Sequence, residues 1–140
     1  MTTLYLESSA LLSWVLDDPS KSKVEEWIFS SDKIVSSFLT WTEIQRVLIR
    51  LEKTGKIKSA DQQKTLGILE NLTQAWHLMP LTPKVMERAG EAFPVEPVRT
   101  LDAIHLATVL EYVKVFPDLK IATFDERILS NLIPLGLSTP

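Results

Sequence analysis

Between Leu101 and Val113 the chain reads as a helix that is apolar over most of its circumference, with Leu101, Ala103, Ile104, Leu106, Ala107, Val109, Leu110, Tyr112 and Val113. A surface helix needs only one apolar stripe, so a helix like this one has to be covered on several sides. The rest of the sequence supplies the cover. Short β-prone runs at Thr3–Leu6, Lys33–Ser36, His77–Leu81 and Lys120–Phe124 alternate with longer stretches of helical period. Those stretches are Ala10–Leu16, Ser20–Phe29, Phe38 to near Gly55, Ser59–Trp76, Lys84–Ala92 and Leu101–Val115, with a short helix after Asp125. This alternation predicts an α/β domain around a parallel sheet. Ser8-Ser9, Thr82, Thr100 and Asp125 are the expected helix caps. Phe93–Val98, with two prolines, reads as a loop, and Ile133–Leu135 as a last edge strand. No Pro/Gly/Ser-rich linker divides the chain, so residues 1–140 are expected to form a single domain.

Composition narrows the chemistry. With no cysteine and only His77 and His105, disulfides, thiolate metal sites, cysteine nucleophiles and histidine-rich metal sites are excluded. A metal here would be held by oxygen, which points to Mg²⁺ or Mn²⁺. Nucleotide-binding glycine motifs and the serine elbow of acyl hydrolases are absent. No stretch approaches a membrane span, and the N-terminus lacks the basic region of a signal peptide, so a cytoplasmic protein is expected.

Four acids stand out. Glu7 follows the first strand, and an acid there also suits a helix start. Glu43 lies beside the apolar stripe of its helix, with Arg46 and Arg50 on the same side, and alone it reads as half of a surface ion pair. Asp102 opens the all-round apolar helix, where a carboxylate must be paired, hydrogen-bonded or metal-bound; it also suits a first-turn acid beside the Thr100 cap. Asp125 follows the last internal strand and suits an N-cap. In a parallel α/β sheet, sites form outside the carboxyl ends of the strands. If the strands before Glu7 and Asp125 are neighbours, these carboxylates converge on one pocket. There they would repel one another, and a divalent cation removes the conflict and activates water at phosphorus.

These residues stand in motifs. Tyr5-Leu6-Glu7-Ser8-Ser9-Ala10-Leu11, Thr42-Glu43, Arg99 to Ala107 (RTLDAIHLA) and Thr123-Phe124-Asp125 together resemble PIN domains, in particular the VapC-type toxins of toxin–antitoxin pairs. The similarity runs from residue 4 to about residue 135. It implies a three-layer α/β/α fold with a central parallel sheet of about five strands. It implies a Mg²⁺- or Mn²⁺-dependent endoribonuclease that leaves a 5′-phosphate and a 3′-hydroxyl, forms a homodimer and is blocked by a cognate antitoxin. By position, Glu7, Glu43, Asp102 and Asp125 are the implied catalytic acids, with Glu7, Asp102 and Asp125 on the metal. Ser9 and Thr123 are the implied pocket hydroxyls.

The resemblance departs at one place, because the family nearly always has Asp where this chain has Glu7. An added methylene moves the carboxylate by roughly 1.5 Å, and misplacement on that scale costs about 10²-fold in rate. The alternative reading is therefore a weakened or inactive PIN module that binds RNA or a protein partner. A phosphatase-like acidic hydrolase lacks its aspartyl nucleophile motif here.

Other residues extend the site. From Arg46 to Lys64, six cations face Glu52 and Asp61, a local +4 in a chain of net −3, which leaves −7 elsewhere. Arg46, Arg50 and Arg99 are the candidate phosphate contacts; Arg99 equally suits pairing with an acid. Trp14, Trp27 and Trp41 are the candidate antitoxin or dimer contacts, and core packing is the competing reading for each. His105 shares a helix side with Asp102; a general base is one reading of it, and a packed core histidine is the favoured one. His77 reads as structural.

Overall fold

A computed structural model describes all residues, 1–140. Its elements, in chain order, are β1 (Thr3–Leu6), α1 (Ser8–Val15), α2 (Lys21–Phe29), β2 (Lys33–Ser37), α3 (Phe38–Lys53), α4 (Ser59–Thr73), β3 (His77–Met79), α5 (Pro83–Ala89), α6 (Thr100–Val115), β4 (Lys120–Ala122) and α7 (Glu126–Leu132). The four strands form one parallel sheet in the order β3-β2-β1-β4. β1 is therefore central, and Leu4, Tyr5 and Leu6 are fully buried.

Strand alternation sends these residues to opposite faces. Leu4 and Leu6 join Ala10, Leu11, Val24, Ile44, Leu48 and Leu69 in a core beneath α1–α4. Tyr5 faces the other layer, where it packs with Leu106, Val109, Tyr112, Ile128 and Leu132 of α6 and α7. A third cluster, Leu39, Val85, Ile104 and Ala107, buries a further side of α6 against α3 and α5. The all-round apolar helix is thus covered on several sides, and the fold is the expected α/β/α sandwich.

The sheet has four strands where about five were expected. Ile133–Leu135 is a single 3₁₀ turn. Pro134 has no N–H to give a ladder. The C-terminal tail contributes one backbone bond, Ile121 N–H to the Ser138 carbonyl at 2.9 Å, without forming a strand. α4 stops at Thr73, short of Trp76, and β4 stops at Ala122, because the groups after it bond to the site described below. α3 ends as predicted, with Thr54 as C-cap and Gly55 at φ 74°, where a side chain would be strained. His77 is structural, its Nδ1 lying 2.9 Å from the Tyr112 hydroxyl.

Candidate active site

β1 and β4 are parallel neighbours, with Leu6 opposite Ala122, so Glu7 and Thr123 leave the sheet side by side. The Glu7 amide extends the ladder by one bond, to the Ala122 carbonyl at 3.1 Å. Glu43 arrives from the second turn of α3 and Asp102 from the first turn of α6. All four acids line one open cleft of about 540 Å³, together with Ser8, Ser9, Leu12, Arg99, Thr100 and Leu101.

Each acid is held to the scaffold through one of its two oxygens. Glu7 Oε2 accepts from the Ser9 amide (2.6 Å), the Ser9 hydroxyl (2.5 Å) and the Thr123 hydroxyl (3.2 Å). The N-cap of α1 is therefore Glu7, where Ser8-Ser9 were expected; the longer acid folds back to reach the amide two residues on. Glu43 Oε1 accepts from the Ser8 hydroxyl (2.5 Å) and from His105 Nε2 (2.6 Å). Asp102 Oδ2 accepts from Arg99 Nε at 3.1 Å. Asp125 Oδ1 caps α7 through the Arg127 and Ile128 amides, as the sequence suggested. Thr100 is the first helical residue of α6, and Arg99 takes the N-cap position without a side-chain bond to the helix backbone.

The second oxygens of Glu7, Glu43 and Asp102 have no partner in the protein. Asp125 Oδ2 has only Arg99 NH2, at 3.4 Å. None of these oxygens is sealed from solvent. Glu7 and Asp102 nonetheless keep only 5% and 6% of their surfaces exposed. Glu7, Glu43 and Asp102 are thus anchored through one oxygen with the other unpartnered, while Asp125 is engaged at both, the second by Arg99 alone.

Ser9 and Thr123 serve this anchoring. The Ser9 hydroxyl also accepts from the Phe124 amide (2.8 Å), and Thr123 accepts from the Asp125 amide (3.1 Å). Two further residues reach the site: Ser8, expected only as a helix cap, and His105, expected to pack in the core rather than act as a general base. His105 is 2% exposed, and its Nδ1 lies 2.8 Å from the buried Tyr5 hydroxyl. Because a carboxylate only accepts, the network assigns the proton on Nε2 to the bond with Glu43. The signals available were the position of Ser8 directly after Glu7 and the three-residue spacing of Asp102 and His105. Arg46 and Arg50 are exposed on α3, outside the cleft lining, and neither pairs with Glu43. Trp14, Trp27 and Trp41 are half-buried against the core beneath α1–α4. Trp27 stacks on Phe124 at 5.6 Å, and Trp14 borders a separate groove with Ile68 and Leu72.

A family model described as "PIN domain" matches residues 4–132. The chain belongs to the PIN-domain family. This PIN domain is 30% identical over 139 residues to ribonuclease VapC46 of Mycobacterium tuberculosis, covering 99% of this chain and 96% of that one. It is 25% identical over 137 residues to ribonuclease VapC35 of the same species, covering 96% of this chain and 93% of that one. Two solved structures share the fold. M. tuberculosis VapC20, described as a sarcin-ricin loop cleaving toxin, superposes with TM-score 0.64 at 12% identity over 91% of this chain and 93% of its own. A toxin–antitoxin complex from Klebsiella pneumoniae gives TM-score 0.64 at 18% identity over 98% and 97%. No helix of the PIN domain is long and apolar enough to cross a membrane.

The donor chemistry fits the divalent cation that the family implies, with hard oxygens throughout and an uncommitted oxygen on two nearly buried carboxylates. As the side chains stand, no three His, Asp or Glu groups converge closely enough to grip one ion. In this arrangement Glu7 folds back onto Ser9 and Thr123, and the guanidinium of Arg99 spans Asp102 and Asp125.

The environments also split the two glutamates. Burial pushes the Glu7 carboxyl above its ordinary range, and the Glu43 charge adds to this; His105 and the Ser9 bonds oppose the shift without cancelling it. Burial acts the same way on Glu43, but the bonds from His105 and Ser8 outweigh it and hold that carboxyl below its ordinary range. A raised acid costs nothing below its unfolded value; the cost grows as pH climbs from there to the folded value and is present in full above it. Glu7→Gln keeps a carbonyl to accept from Ser9 and removes the buried charge. Without divalent cation at pH 7, its melting temperature is expected about 2–5 °C above wild type. The gap closes as pH falls through the folded value of Glu7 toward the unfolded one. Thermal unfolding across that range measures this, and a variant less stable at every pH contradicts it.

Proposed function

We propose that this PIN domain is a Mg²⁺- or Mn²⁺-dependent endoribonuclease and the toxin of a toxin–antitoxin pair. The observation that carries the reading is the set of four carboxylates lining one strand-end cleft, three of them anchored by one oxygen with the other unpartnered. That the VapC relatives are ribonucleases supports RNA as the substrate. Glu7, Asp102 and Asp125 would hold the cation, which when bound supplies an activated water and neutralises charge at the phosphate. The protein's own part is orientation. Ser9 and Thr123 fix Glu7. Ser8 and His105 fix Glu43 and keep it ionised at neutral pH, ready to accept a proton. Arg46 and Arg50 add positive charge for the RNA backbone. Trp14, beside the groove with Ile68 and Leu72, is the leading antitoxin contact, with Trp27 and Trp41, half-buried against the same core, as the other candidates. The toxin relatives support a cognate antitoxin, and the reading includes a homodimer.

The test incubates the purified protein with structured RNAs and Mn²⁺, with and without chelator, alongside Mn²⁺ calorimetry. Expected are cleavage that the chelator abolishes and saturable binding of Mn²⁺. Neither cleavage nor binding would end the nuclease reading. The fold-back of Glu7 favours a second reading, a PIN module that binds RNA or protein without cutting.

A further inference from the structure

Four acids line the cleft and Arg99 is the one cation among its lining residues. Its backbone is extended, φ −77° and ψ 161°, just outside α6, which directs the side chain across the mouth of the cleft rather than along the helix. From there one guanidinium reaches acids on two different elements: Asp102 through Nε at 3.1 Å and Asp125 through NH2 at 3.4 Å. In both cases the acceptor is Oδ2. Asp125 has already given its Oδ1 to the cap of α7, and Arg99 is the sole protein partner of Asp102. Asp102 is nearly buried, so without Arg99 its charge would face three other carboxylates with no counter-ion. The Arg99 side chain is 64% exposed, so withdrawing it into water costs little.

We propose that Arg99 is a resident counter-cation of the acid pair, occupying the side of the cleft that a divalent ion needs, and that such an ion binds in competition with it. This rests on the reading of the cleft as a metal site. A planar fork and a small octahedral ion place opposing demands on the same two carboxylates. Asp102 keeps Oδ1 unpartnered, but Asp125 has given Oδ1 to the cap of α7, so an ion bound by both aspartates must take Asp125 Oδ2 from the fork. Arg99 is thus a positioning residue that keeps the aspartates in register before the ion arrives and lowers their apparent affinity for it. The convergence that the side chains lack as they stand is what its departure permits.

The test is calorimetric titration of Mn²⁺ into the full chain, comparing wild type, Arg99→Gln and Arg99→Lys, with Asp102→Asn to show that the heat comes from this cleft. Lys56→Gln controls for net charge; Lys56 is exposed, and lies beyond the C-terminal end of α3, outside the cleft lining. Unfolding curves of each variant report intact folding. The expected result is binding about threefold to tenfold tighter in Arg99→Gln, scaled to the modest strength of exposed ion pairs. Arg99→Lys should fall between it and wild type, Lys56→Gln should stay within about twofold of wild type, and Asp102→Asn should lose the heat. Unchanged or weaker binding in Arg99→Gln overturns the competition while leaving the nuclease reading intact. An equal gain in Lys56→Gln overturns it too, since charge alone would then suffice. No Mn²⁺ binding in wild type or Arg99→Gln, or undiminished binding in Asp102→Asn, overturns both.

Discussion

Asp102→Asn lowers the rate of Mn²⁺-dependent RNA cleavage by about 10²- to 10³-fold, the loss typical of removing one charge-stabilising group from an enclosed site. The substitution is nearly isosteric at a position only 6% exposed, so it changes charge with little change in packing. Asp102 makes no bond to the α6 backbone, and its one protein partner is Arg99. Folding therefore has little to lose. The neutral side chain also relieves the repulsion among the acids, so the melting temperature should not fall. Removing the Asp125 carboxylate with Asp125→Ala mixes two effects, because Oδ1 of that residue caps α7. Asp102 is thus the cleaner probe. Initial rates on a structured RNA, with unfolding curves of both proteins, measure the effect. Undiminished cleavage in the variant would remove Asp102 from the mechanism and take the metal reading of the cleft with it.

The parts of this fold that could be read in the sequence are those fixed by local pattern. The apolar circumference of α6 required layers on several sides, and Leu4, Tyr5 and Leu6 had to serve both faces of a buried strand. The acids at strand ends were legible for the same reason: the end of a parallel strand is where a side chain leaves the core. What escaped the reading depends on partners distant in sequence. Whether Glu43 pairs with Arg46 on its own helix or with Ser8 and His105 from α1 and α6 is decided by tertiary packing, and the tertiary partners win. Glu7 stands as a site acid beside an expected serine cap, whereas its own carboxylate accepts from the Ser9 amide and forms the cap. A fifth strand was expected where Pro134 cannot donate to a ladder.

Anchoring by one oxygen has a mechanistic consequence. A carboxylate tied at both oxygens would be rigid but spent, and one tied at neither would pay rotamer entropy on binding an ion. The hydroxyls of Ser8, Ser9 and Thr123 supply the tie without bringing a competing positive charge. Arg99 alone does bring one, and it is also the most exposed of the anchoring groups. The cleft therefore combines three orienting hydroxyls that can stay in place with one cation that must leave.

Glu7→Asp should raise Mn²⁺-dependent cleavage by about tenfold to 10²-fold, the scale on which misplacement near 1 Å acts. Aspartate is among the strongest N-cap residues, so the shorter acid can still accept from the Ser9 amide and end β1 as Glu7 does. It does so without the fold-back that spends Oε2 on Ser9 and Thr123. Its second oxygen then stands roughly 1.5 Å nearer the backbone, one C–C bond length, where the PIN family places it. Mn²⁺ affinity should rise with the rate, which separates a repaired metal shell from a change in RNA binding. Cleavage by neither form, with RNA retained in a gel-shift assay, would favour the binding module. Equal and strong cleavage by both would mean that the cleft tolerates the longer arm, with Glu43 or Asp125 making up the geometry.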